Sequence, residues 1–351
     1  CSHDEVTRLS TWRMPAESEP HERAWMAWPS AAYTLGDSVA DAEEAWTTWA
    51  AVANAISEFE PVSMLATPEG HREAKRRLSA SIELHATDLD DAWYRDIGPT
   101  FVLDENNRLG GVDWVFNGWG QQHWARWKHD QHAAKVAIDA AAATRIESSM
   151  VNEGGGIHTD GNGTFLVTET VQLDRFRNPD WSKEQVEAEL ARTLGARKVI
   201  WAKRGLTRDS QDFGTRGHID ILACFASPGV VLYHDQRDDQ HPDHAISAEL
   251  REALDTTDAD GRQLELIGLP APTVLKDAEG YVDYSYVNHF VANGAVIACS
   301  FADPSDAEAL DVLANAYPGR EVVGIDARPL FARGGGIHCI TQQQPATGVR
   351  P

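Results

Sequence analysis

Short apolar runs alternate with longer stretches of spaced apolar positions along the whole chain. Runs rich in Val, Ile, Leu, Phe and Trp predict strands over 62–66, 100–103, 112–116, 164–168, 198–202, 230–234, 264–269, 295–301 and 321–325, because β-branched and aromatic side chains suit a pleated, buried surface. Helical spacing predicts helices over 41–58, 70–82, 130–145, 182–194, 245–254 and 305–316. Ser182, with Glu184 and Gln185 after it, reads as the cap that starts one of these helices, and Gly195 as its stop. No low-complexity linker or change of composition interrupts the alternation. The pattern predicts a single α/β or α+β domain.

One motif recurs. Gly-Gly-Gly-Ile-His stands at 154–158 and again at 334–338, 180 residues later, with a relative, Arg216-Gly217-His218-Ile219-Asp220, between them. Strand-plus-helix units, each ending in a Gly-rich turn that presents a histidine or an acid, account for the repetition. Such units set in a ring would gather their turns at the axis. The plain alternative is that the glycines only make flexible loops.

Charge and cysteine content narrow the partners. The 351 residues hold 54 acids against 31 bases, a formal charge of −23. This argues against nucleic acid or an anionic membrane, which need basic patches, and suits a small cationic substrate. Homo-oligomerisation stays open. No apolar run approaches the roughly 18 residues of a membrane span. Cys1, Cys224, Cys299 and Cys339 form no CxxC pair, so a reducing compartment, the cytoplasm, is expected, with Cys1 read as a processed or added end. A chain of this length needs no disulfide or metal staple.

Cys339 follows a glycine run and a histidine. Glycines let the backbone pass close to a ligand, and a thiol displayed there is a candidate nucleophile. An inert buried cysteine is the competing reading, and it holds for Cys224 and Cys299 in their apolar surroundings. His218 is a candidate proton shuttle. If 217–222 is extended, His218 and Asp220 share one face, and His158-Thr159-Asp160 repeats that geometry. Metal ligation is the runner-up for these pairs, although no HExxH or Cys/His cluster supports it. His241 and His244 flank Pro242-Asp243 in an acidic stretch read as solvent-exposed. Asp96, beside the Gly98-Pro99 turn, is placed to face a pocket that Trp93 and Trp119 can line. A carboxylate and aromatic walls suit a delocalised cation. The alternative is a structural Asp96–arginine pair among core tryptophans. Glu153 precedes the first glycine run.

These stretches, together with 14–17, 25–29, 93–100, 153–161, 217–220, 285–288 and 334–345, resemble the agmatine deiminases, which stand beside the bacterial peptidylarginine deiminases among guanidine-modifying enzymes. The matches run in order from about 14 to 346. The resemblance implies a single catalytic domain over 14–346, with 1–13 an N-terminal extension and 347–351 a tail. It implies the α/β propeller, or pentein: five ββαβ-type units around a pseudo-fivefold axis. It implies Cys339 as nucleophile, His218 as general acid and base, Asp96 and Asp220 as the guanidinium clamp, Glu153 as the group orienting His218, and Asn288 beside the thiol. No metal or cofactor is implied. The expected reaction is hydrolysis of agmatine to N-carbamoylputrescine and ammonia. The chain departs from the family at Gly214, where an acid suited to a distal amine is usual, and at Gly156, His289 and Gly336. Arg216 adds a positive charge beside the expected tail site, where Gly336 is also counted. A guanidino acid, free arginine or peptidyl-arginine therefore remain alternative substrates. An amidinotransferase and a non-catalytic binding pentein are the other classes.

Overall fold

The computed structural model describes residues 12–30, 32–273, 276–278 and 280–348. The expected N-terminal extension thus lies outside the described residues except for Trp12 and Arg13, as does the tail beyond 348.

One local pattern is built five times. In each case a first strand pairs antiparallel with a second, a helix crosses over, and a third strand pairs parallel with the second. The strands Thr100–Asp104, Leu109–Val115 and Thr144–Val151 form one such sheet, with Ala133–Ala140 as the crossover helix. His158–Thr159, Thr164–Thr168 and Lys198–Ala202 form another around Lys183–Leu194. Ala223–Ser227, Val230–Asp235 and Glu265–Pro270 use Asp243–Leu254. Phe290–Ala292, Ala295–Ser300 and Glu321–Asp326 use Asp306–Ala316. The remaining sheet is joined from both halves of the sequence: Thr341–Pro345 pairs antiparallel with His21–Ala27, which pairs parallel with Val62–Ala66 through Val39–Ser57. The second strands are flanked on both sides and covered on both faces, so they read as continuous apolar runs; Thr164–Thr168 is buried at every position.

The predicted elements fall largely where expected. Ser182 accepts from the Gln185 amide in a reciprocal capping box, and Gly195 ends that helix at φ 76°. Two predicted helices stop early. The 130–145 pattern ends at Ala140, and Thr144 already opens a strand. The 70–82 pattern ends at Arg77, with Leu78 in an extended conformation. The strands His21–Ala27, Glu83–Ala86, Thr144–Val151, Ala223–Ser227 and Thr341–Pro345 were not predicted. Among the described residues, no helix is long and apolar enough to cross a membrane.

Candidate active site

In each of the five sheets, a short turn immediately precedes the first strand. These turns are Tyr94–Ile97, Gly154–Gly156, Ile219–Ile221, residues 285–289 and His338–Ile340. They carry Asp96, Gly155, Asp220, Asn288 and Cys339, with Glu153 and His218 at the N-terminal edges of two of them. The segment expected to be extended, 217–222, is instead a tight 3₁₀ turn. His218 and Asp220 therefore meet because the turn folds both toward the same neighbours, and strand alternation plays no part.

Their convergence can be measured from one point. A Cβ built on Gly155 would lie 2.5 Å from His218 Nδ1, 3.0 Å from Asp220 Oδ2 and 3.0 Å from Asp96 Oδ1. Cys339 Sγ lies 3.6 Å from Asp220 Oδ2, and the thiol shares a cavity with Asp96. Asn288 holds the nucleophile's turn: its Oδ1 accepts from the His338 amide at 2.9 Å, while Nδ2 donates to the Asp220 carbonyl at 3.2 Å and to Cys339 Sγ at 3.3 Å. Glu153 receives Arg177 Nε at 3.0 Å on both oxygens and sits 3.2 Å from His218 Nε2. That contact leaves Nδ1 as the nitrogen turned to the site, where it and Asp220 Oδ1 are buried without a hydrogen-bond partner.

Trp119 donates from Nε1 to Asp96 Oδ2 at 2.8 Å, and the Gly155 amide donates to Asp96 Oδ1 at 3.1 Å. To reach Asp96, Trp119 holds φ at 54°, left-handed backbone that a non-glycine residue enters at a cost of about 1–2 kcal/mol. Trp93, Trp119, Trp124 and Phe213 wall the cavity above Cys339. Among the described residues, Asp96 has no arginine partner. Gly335 and Gly336 lie against the site through their backbones: a Cβ on Gly335 would meet Trp93 at 2.7 Å, and one on Gly336 would meet Asn288 Oδ1 at 2.4 Å. Arg216 is placed elsewhere. Its guanidinium pairs with Asp174 at 2.8 Å and the Gly120 carbonyl at 3.2 Å, over the Phe176 ring, and it does not line the cavity.

The electrostatics follow from burial and from these pairings. Burial works against a charged His218, but Asp96 and Glu153 outweigh it and raise the imidazolium to about 9. Burial also lifts Asp96 to about 6; His218 opposes the shift, while Asp220 and Glu153 add to it. Asp220 is held below its ordinary value because the His338 hydrogen bond and charge overcome burial. Glu153 is held at about 2 by Arg177 and His218, again against burial. Burial, then Asp220 and Asp96, push the Cys339 thiol well up, so in the empty site it is neutral. Cys299, buried away from the site, is pushed up to about 12 by desolvation.

Several functional residues were not read from the sequence. His338 bonds Asp220 Oδ2 through Nδ1 at 2.7 Å and Glu17 Oε2 through Nε2 at 2.9 Å. Arg95 donates to the His338 carbonyl and to the side chains of Gln342 and Gln343. The signal was present: His338 closes the repeated five-residue motif, and Arg95 adjoins Asp96.

Glu17, His158 and His338 place ligand-type atoms within 4.8 Å of one another. The donor set does not suit a metal. His338 has both nitrogens on carboxylates and is raised in pKa, as a cation would be. His158 accepts the Phe225 amide on Nδ1, so its proton occupies Nε2, the nitrogen a metal would need. Asp160 stabilises its own turn through the amides of Asn162 and Thr164, so the His158–Asp160 pair does not reproduce the 218–220 arrangement. His241, expected in solvent, is buried against the Tyr281 ring, while His244 is exposed.

A thiol, an imidazolium and two carboxylates around one aromatic-walled cavity define a cysteine-based site for a planar cation. The family model of Porphyromonas-type peptidyl-arginine deiminase matches residues 13–345. A Streptomyces coelicolor protein is 53% identical over 341 residues, covering 96% of this chain and 100% of its own. The agmatine deiminase of Medicago truncatula is 40% identical over 95% of this chain and 96% of its own. The solved agmatine deiminase of Enterococcus faecalis superposes with a TM-score of 0.89 at 32% identity, covering 96% of this chain and 97% of that one. The chain belongs to the Porphyromonas-type peptidyl-arginine deiminase family.

Proposed function

We propose that this chain hydrolyses the guanidinium of agmatine, giving N-carbamoylputrescine and ammonia. The observation that carries the reading is the convergence of Asp96, Asp220 and His218 within 3.0 Å of one point, with the Cys339 sulfur 3.6 Å from Asp220. The named agmatine deiminases among its relatives supply the substrate.

Two carboxylates hold the planar cation through paired N–H donors and fix its central carbon before Sγ. The arriving positive charge cancels the field of Asp96 and Asp220 that keeps the thiol neutral, so binding itself favours release of the thiol proton to bulk water. The thiolate adds to the guanidinium carbon. His218, protonated at neutral pH, gives its proton to one nitrogen, the carbon–nitrogen bond breaks, and ammonia leaves an S-amidino enzyme with a neutral imidazole. That imidazole takes a proton from water as the oxygen adds to the same carbon. The carbon–sulfur bond then breaks, the hydroxyl proton passes to the departing sulfur and restores the thiol, and the ureido product leaves while His218 keeps the proton it took from water. Glu153 positions the imidazole and stabilises its charged form. The walls formed by Trp93, Trp119, Trp124 and Phe213 suit a slim alkyl guanidine. We further propose that the five repeated sheets stand around a common axis as a propeller; the repetition of sheet order and of site-bearing turns supports this.

The test is product analysis with agmatine. Equimolar ammonia and N-carbamoylputrescine are expected from the parent, and none from Cys339→Ala. Parental turnover by that variant would overturn the assignment of the nucleophile.

A further inference from the structure

A second cavity adjoins the catalytic one. Phe213, Gly214 and Gly334 are shared with a second, larger cavity whose walls include Tyr33, Asp283 and Tyr284. The wall between the two cannot carry a side chain at 214, because a Cβ there would lie 1.9 Å from the Asp209 carbonyl. Tyr33 stacks on Phe213 with ring centroids 4.6 Å apart, so aromatic faces stand where the two cavities meet. The cations close by are already engaged. Arg333 directs its guanidinium to Glu44 and to the carbonyls of Thr34, Pro329 and Asp41, and Arg208 pairs with Asp277. Asp283 differs from these: among the described residues it makes no ion pair and no side-chain hydrogen bond to another residue, yet it is partly buried on the cavity wall.

We infer that Asp283 is the residue that recognises the substrate's tail, taking a primary ammonium joined to the guanidinium by a short alkyl chain. This rests on the reading of agmatine as substrate and deepens it. The alkyl chain runs between the aromatic faces, and its ammonium enters the outer cavity, where Asp283 has free acceptor capacity and, unlike the exposed Asp212, is partly buried. A cation there is further favoured by the neighbouring acids Asp212 and Asp277 on the same wall. A carboxylate tail would meet the same field as repulsion.

The pH behaviour follows from the surroundings. Burial, then the charge of Asp209, lifts the Asp283 carboxyl to about 7; Arg208, on the same turn as Asp209, opposes this, and Asp243 from the neighbouring helix start adds to it. Tyr284 beside it stays neutral in this range, its own pKa raised by burial. Ammonium binding requires the ionised form, so KM for agmatine rises as pH falls below about 7 while kcat holds.

The experiment compares Asp283→Asn and Asp283→Glu with the parent on agmatine and on n-butylguanidine, which lacks the amine. In Asp283→Asn, KM for agmatine should rise about ten- to hundredfold with kcat little changed, KM for butylguanidine should not move, and the KM rise at low pH should vanish. Asp283→Glu should restore much of the loss. An unchanged agmatine KM, or an equal rise for both substrates, overturns the assignment while the reaction stands. A parent enzyme that turns over butylguanidine but not agmatine overturns the substrate reading, and this inference with it.

Discussion

His218 shows how one residue's charge is decided by its neighbours. Burial alone would make it neutral, but two carboxylates hold it protonated to about 9. Asp96 ionises at about 6, so the clamp is charged above that pH and the acid is loaded below about 9. For a guanidine without a tail amine, the profile of kcat/KM should therefore be bell-shaped between these limits, as a property of the coupled set, whereas for agmatine Asp283 moves the acid limb up toward 7. In Glu153→Gln one of the charges that raises His218 is gone, so the basic limb should move down, on the order of one pH unit. An unmoved basic limb in steady-state kinetics would show that Glu153 does not set the imidazole's charge.

Among elements, the turns matter more than the strands they lead into. Gly154–Gly156 passes so close to the catalytic groups that Gly155 has no room for a methyl. Gly155→Ala should lower kcat/KM about a hundredfold or more and cost about 1–3 kcal/mol of stability, measured by kinetics and by denaturant unfolding. Parental kinetics in that variant would mean the turn can yield. The sequence made much of this legible. The repeated glycine motif pointed to the turns at 154 and 334, and the apolar runs located the second strand of every repeated sheet but the one built on His21–Ala27. The first strands were harder to see. His158–Thr159 and Phe290–Ala292 are too short to show a period, and Thr341–Pro345 is rich in glutamine although buried throughout. Its glutamines are inside because Arg95 and the Trp25 indole bond them, and pairings of that kind have no local pattern. Glu17 escaped for the same reason: its partner His338 is 321 residues away. Arg216 misled because a charge beside a catalytic histidine says nothing about where a left-handed backbone, φ 70°, will aim it.

At the scale of the whole molecule, the decisive contact is between Thr341–Pro345 and His21–Ala27. It completes the fifth sheet and brings Cys339 beside Asp220 and Asp96. A chain cut after Ile340 keeps the thiol but leaves His21–Ala27 with an open edge. It should lose its cooperative unfolding transition, as followed by circular dichroism against denaturant; a parental transition would show that the seam is dispensable.

The seam also sets a timetable. During synthesis the ribosome makes Asp96, Asp220, His218 and the aromatic walls before it makes the Cys339 sulfur. A nascent chain thus carries these groups without being able to modify anything, and reactivity appears only as the seam is drawn shut. Until then the unpaired border strand is the part of the young polypeptide most open to wrong pairing, which makes it the natural place for a chaperone to act.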